Sequence, residues 1–263
     1  MEQLSIITDT KAIHDTLLEK ISSEIGNEAT VDVGKNSVVL KSKDEHSKEK
    51  IVNAITKTIV EQYENKLISK LINQNYFYFN LPDRKRIYKK ALNYTGNDAA
   101  FNTLVNTKLK EYLGTTDKLM IDGFVNFRLK DYQNELEEVI DKAVDDFMVE
   151  KEYKEFIKLL KYFVEIQNPK YNIINIIPSG ENYHIYNEAF EDITALCSKD
   201  FLKGDDEKIS SDDLLISILI SVAPRKICIH KCECITNTEL ISTIKQVFCK
   251  KVTICGGCKF CDN

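Results

Sequence analysis

The chain has 263 residues, 43% of them apolar and 29% charged, with a formal net charge of -5. That length suits one large domain or two modest ones, and the composition is globular, with no stretch built like a disordered tail. The mild acidity argues against nucleic acid as the partner.

Met1 to Asp9 lacks the basic and long apolar segments of a signal peptide. The longest apolar run, Leu214 to Ala223, is broken by Ser217 and Ser221 and stopped by Pro224. It falls short of the roughly 20 residues that span a bilayer. The expectation is a cytosolic chain without a membrane role.

Three regions separate by pattern. In region 1–46, Leu4 to Ile7 reads as a strand. Ala12 to Ile25 follows as a helix, with Ile13, Leu17, Leu18, Ile21 and Ile25 at helical spacing. Val31 to Val33 and Val38 to Leu40 flank Gly34-Lys35-Asn36, a hairpin signal. This makes a small β-α-β-β unit.

Region 47–167 is helical. The expected helices are Ser47 to Asn73, Asp83 to Tyr94, Ala99 to Leu113, a long one starting near Leu129, and Lys151 to Ile166. The fourth should bury Tyr132, Leu136, Val139, Ile140, Ala143, Phe147 and Met148. The fifth should bury Tyr153, Phe156, Ile157, Leu160, Phe163 and Val164. The apolar face from 121 on, with Phe124, Phe127 and Tyr132, should pack inward.

Region 171–263 is mixed. Tyr171 to Ile177 and Tyr183 to Tyr186 form a hairpin around Pro178 to Asn182. Ser210-x-x-Asp213 opens the helix Leu214 to Val222. Arg225 to His230 is a strand, Thr236-x-x-Glu239 is a capping box that opens a helix to Phe248, and Lys251 to Cys255 is the next strand. Strand, helix, strand with short links implies two parallel strands joined by a crossover. The fold class is therefore mixed α/β (α+β), ending in a cysteine-rich tail.

Two other groups have bland readings. The basic run Arg84 to Lys90 suits a solvated helix face or pairing with the acidic face of 135–146 better than a phosphate site. Tyr76 to Phe79 reads as a half-buried extended segment. His14 and His46 look exposed. No nucleophile–histidine–acid set, Gly-rich phosphate loop or HExxH pattern stands out.

The tail reads Cys255-Gly256-Gly257-Cys258-Lys259-Phe260-Cys261, and the chain has eight cysteines. In a chain among reduced thiols, clustered cysteines point to metal or redox chemistry. Two residues between thiolates let one loop present both sulfurs to one ion, and the glycine pair lets backbone N–H groups turn toward sulfur. Parallel strands would bring the ends of the two strands, with His230, Cys232 and Cys234 on one and Cys255 on the other, to one sheet edge. The expected ligands are Cys255, Cys258 and Cys261, with Cys232 or Cys234 fourth. Zinc is expected ahead of an iron–sulfur cluster, whose runs carry a further cysteine and a proline. Cys249, six steps or roughly 20 Å from Cys255, lies at the far edge. The plain alternative, small buried cysteines, fits Cys197, Cys228 and Cys249.

The run Asp122-Gly123-Phe124-Val125-Asn126-Phe127-Arg128-Leu129-Lys130-Asp131-Tyr132, continued by Glu137 to Asp145 and Glu150 to Val164, resembles the middle signature of YtxC-like sporulation proteins of endospore-forming bacteria. The resemblance is most specific over 121–170. It implies a role in spore formation, in the cytoplasm of such a bacterium, and brings no reaction and no functional residue with it. Two function classes stay open. One is a non-catalytic binding or structural protein with a thiolate metal site and an unidentified protein partner. The other is a redox or metal-dependent enzyme using the cysteine cluster.

Overall fold

A computed structural model describes residues 3–25, 29–42, 44–95, 99–199, 210–259 and 261. By compactness the chain divides into two units, Met1–Val149 and Glu150–Asn263, where the sequence pattern marks three regions.

The first unit starts β1 (Leu4–Ile7), α1 (Lys11–Ile25), β2 (Ala29–Val33) and β3 (Ser37–Ser42). The long helix α2 (Glu45–Asn75) follows. It begins at Asp44, whose carboxylate accepts the Ser47 N–H at 2.8 Å while its own N–H donates to Ser47 Oγ at 3.1 Å. Next come α3 (Leu81–Thr95), α4 (Ala99–Leu113), β4 (Lys118–Met120), α5 (Ile121–Arg128) and α6 (Lys130–Ile166). The sheet runs β2-β3-β1-β4. β4 pairs parallel to β1, Ile7 opposite Met120, so a strand from the helical region completes the N-terminal sheet. One core therefore joins Leu4 and Ile6 to Ile55, Leu109, Tyr132 and Phe147.

Several expectations change. α6 is one helix of 37 residues, not two, because no glycine or proline between Met148 and Lys151 breaks it. Its inward residues include Tyr132, Leu136, Ile140, Ala143 and Phe147 in the first unit. In the second unit Ile157 and Val164 are buried, but Tyr153, Phe156 and Phe163 are 40%, 52% and 48% exposed. Phe124 and Tyr132 pack inward as read, whereas Phe127 is 75% exposed. α5 buries Ile121, Phe124 and Val125, and Phe127 lies about a third of a turn off that face. His14 is buried, not exposed, on the inner face of α1. On the acidic face of α6, Tyr76 donates to Asp141 and Tyr94 to Asp146.

The second unit continues with β5 (Ile173–Ser179), β6 (Asn182–Tyr186), α7 (Thr194–Ser198), α8 (Ser211–Val222), β7 (Lys226–Ile229), α9 (Thr238–Phe248) and β8 (Val252–Ile254). The sheet order is β6-β5-β7-β8. β5 and β6 form the expected antiparallel hairpin, and β5, β7 and β8 are parallel. Ile174, Ile176, Ile227 and Ile229 pack with Leu219, Leu240, Ile244 and Phe248 in this unit's core. Ser210 caps α8, accepting the Asp213 N–H at 3.1 Å. α9 is capped by Asn237, which accepts the N–H groups of Glu239 and Leu240 at 3.0 and 3.2 Å. The helix thus starts one residue later than Thr236 would place it.

Phe147 is 2% exposed and meets Phe79 edge-on with ring centroids 5.6 Å apart. Phe147→Ala should cost about 3–5 kcal/mol of stability by cavity formation. Phe127→Ala should cost no more than about 0.5 kcal/mol, because its ring faces solvent. Urea denaturation followed by circular dichroism distinguishes the two, and equal losses would refute these placements.

Candidate metal centre

β7 and β8 pair in register, Ile227 opposite Val252 and Ile229 opposite Ile254. Their crossover helix α9 brings both carboxyl ends to one edge. The next residue on each strand is His230 and Cys255. His230 is held on the sheet by its N–H to the Ile176 carbonyl at 2.9 Å, and Cys255 by its N–H to the Ile229 carbonyl at 2.9 Å. The two residues therefore face each other across the edge.

Beyond Cys255 the chain folds back. The Gly257 N–H comes close enough to the Cys255 sulfur to favour its thiolate. Gly257 adopts φ 123°, a conformation open to glycine, so the loop turns tightly enough to bring Cys258 alongside. The Cys261 N–H then bonds the Cys258 carbonyl at 2.7 Å.

The result is one cluster: His230 Nδ1 and the sulfurs of Cys255, Cys258 and Cys261 all lie within 4.8 Å of one another. Cys258 Sγ is 3.3 Å and Cys261 Sγ 3.6 Å from His230 Nδ1, and the two sulfurs are 3.9 Å apart. A tetrahedral zinc with arms of about 2.3 Å to sulfur and 2.0 Å to nitrogen requires edges of about 3.8 and 3.5 Å. The set fits a single ion.

The electrostatics suit a cation. The Gly257 N–H lowers the Cys255 thiol pKa, but desolvation and the neighbouring Cys258 and Cys261 outweigh it and hold it at about 11. Crowded thiols cannot all ionise without a positive charge among them, and a bound metal ion supplies it. Burial lowers the His230 pKa, which keeps the imidazole neutral, the form that ligates metal. His230 is 3% exposed.

Of the residues singled out in the sequence, Cys255, Cys258 and Cys261 come together, and Cys232 and Cys234 lie outside the set. The reason is local. Lys231 takes a left-handed φ of 44° and the chain enters a 3-10 turn over Cys232–Cys234, which carries both cysteines off the line of β7. Cys232 packs against the core and Cys234 is exposed. Cys249 is exposed, its thiol donating to the Gln246 carbonyl at 3.3 Å. His230 as the fourth atom was missed. The signal was strand alternation, which puts His230 on the face of Cys228 and opposite Cys255.

The left-handed loop gives a test. Alanine at Gly257 meets no atom within 4 Å, so its penalty comes from the backbone alone. Gly257→Ala should weaken zinc binding by about 1–3 kcal/mol through φ strain. Gly256→Ala, with open space and no positive φ, should leave affinity unchanged. Competition with a chromophoric chelator measures both, and equal losses would contradict the loop geometry.

The family model described as the YtxC-like family matches residues 49–253. That span includes His230 and stops just before Cys255. The chain is also similar to the protein of Bacillus subtilis (strain 168) described as "Uncharacterized protein YtxC", 21% identical over 211 residues, covering 75% of this chain and 73% of the relative. No solved structure matches it significantly. With the family model matching most of its length, the chain belongs to the YtxC-like family.

Proposed function

We propose that the protein is a non-catalytic structural or binding protein in which one metal ion, zinc first, ties residues 255–261 to the sheet of the second unit. The observation that carries this is the four ligand atoms within 4.8 Å. Four protein ligands fill a tetrahedron and leave no open position for substrate, as in structural zinc sites. An iron–sulfur cluster of several irons would need its ligands spread wider than this. Among the described residues of this segment, 255–259 and 261, none lies in a helix or strand and none is fully buried, so the metal supplies the tie that apolar packing does not.

A redox or metal-dependent enzyme is the second reading. One observation favours it: Cys228, a fourth sulfur, lies close enough to Cys258 and Cys255 for both to influence its thiol. A role in spore formation, in the cytoplasm of a spore-forming bacterium, rests on the resemblance of 121–164 alone, and an unidentified protein partner remains part of the proposal without a residue that marks it. Deleting the gene in a spore-forming host and counting heat-resistant spores tests the role in spore formation, and unchanged counts would end that part of the proposal.

Protein purified without oxygen should hold one equivalent of zinc by elemental analysis, with no visible absorption. Cys258→Ser and His230→Ala should lose most of it, while Cys232→Ser, Cys234→Ser and Cys249→Ser keep it. A metal-free wild type would refute the centre. Visible bands and more than one iron per chain would favour the second reading.

A further inference from the structure

Asn175 interrupts the run Ile173-Ile174-Asn175-Ile176-Ile177 in β5 and is 5% exposed. A buried amide left without partners costs about 1–3 kcal/mol, so where its two ends point is strongly determined. Its Nδ2 donates to the carbonyl of Asn187 at 3.1 Å. A carbonyl can only accept, which settles which end of the amide faces it. Oδ1 is thereby turned to His230, with Nε2 at 3.1 Å. An amide oxygen also only accepts, so Nε2 carries the ring proton. Nδ1 is then the bare nitrogen, and it is the one facing Cys258 and Cys261.

The Asn187 carbonyl is itself fixed. The Asn187 N–H donates to the Glu191 carbonyl at 3.1 Å. Its side-chain oxygen accepts the N–H groups of Ala189 and Glu191 at 2.9 and 3.0 Å, and its Nδ2 donates to the Glu191 carboxylate at 2.7 Å. A knotted turn thus sets one carbonyl, the carbonyl sets an amide, and the amide sets an imidazole.

We propose that Asn175, oriented by the Asn187 carbonyl, is a positioning residue that holds His230 in its Nε2–H tautomer and so makes Nδ1 the atom offered to the metal. The metal part rests on the proposed centre; the tautomer holds with or without an ion. Metal-ligating histidines generally donate their second ring N–H to a fixed acceptor, which sets ring orientation and raises ligand basicity.

Long-range proton–nitrogen NMR of histidine-labelled protein reads the tautomer. The expected result is Nε2–H in the metal-free protein, with added zinc shifting the Nδ1 resonance. Asn175→Leu keeps the volume and removes the acceptor, and should lower zinc affinity about 10–100-fold. Asn175→Asp still accepts from Nε2–H, although it loses the bond to the Asn187 carbonyl and adds a negative charge, and should bind zinc more tightly than Asn175→Leu. Nδ1–H in the metal-free wild type overturns the proposal, as does wild-type affinity in Asn175→Leu or failure of Asn175→Asp to restore binding. If Asn175→Leu does not fold, the wild-type spectrum and Asn175→Asp decide. Wild-type protein that takes up no zinc refutes the metal centre, and its metal-free spectrum still judges the tautomer.

Discussion

Everything at the candidate site follows from β7 and β8 being parallel. Two strands joined by a two-residue turn run antiparallel and put their carboxyl ends at opposite edges. Here α9 carries the chain back across the sheet, so both strands end at the same edge. A register in which Ile229 opposes Ile254 then leaves His230 and Cys255 as neighbours. A shift of one residue would turn Cys255 toward the helix side and dissolve the cluster. The apolar pattern fixes the facing of β7, whose Ile227 and Ile229 are buried in the core that includes α9, with Val252 of β8 packed against it. The packing that stabilises the sheet is thus also what aligns the ligands.

The legible parts of the fold were those where period and burial agree. α1, α4, α8 and α9, and the two hairpins, each had an apolar period over enough residues to be read. β4 did not. Three residues, Lys118 to Met120, are too short to show alternation, and their partner β1 lies far away in sequence. Exposure of Phe127, Tyr153, Phe156 and Phe163 was hidden for another reason. Helical spacing reports that a face is apolar, whereas burial depends on whether another element arrives to cover it.

The site divided along the same line. The cysteines at 255, 258 and 261 stand out because their spacing is local chemistry. The fourth member of the cluster depended on where β7 stops. Lys231 bends the chain away through a left-handed conformation that nothing in a lysine announces, since such positions usually favour glycine or asparagine. Cys232 and Cys234 therefore drew attention by composition, while His230 had the right position. Asn175 was legible in principle: a lone amide amid isoleucines needs partners wherever it is buried.

The charge balance of the cluster explains why its histidine is paired with an amide. Three thiolates around a divalent ion would carry one net negative charge, on an edge where desolvation raises the Cys255 and Cys228 thiols. A carboxylate beside Nε2 would add a second negative charge at a buried position, since His230 and Asn175 are 3% and 5% exposed. A neutral amide orients the ring without that cost. Such a centre also couples distant stretches of chain, because ligands at 230 and at 255–261 meet only when β7, α9 and β8 are in place. An ion that binds the folded arrangement and not the unfolded chain adds its binding energy to the stability of this sheet edge. The metal would then report on, and reinforce, the parallel pairing that creates its own site.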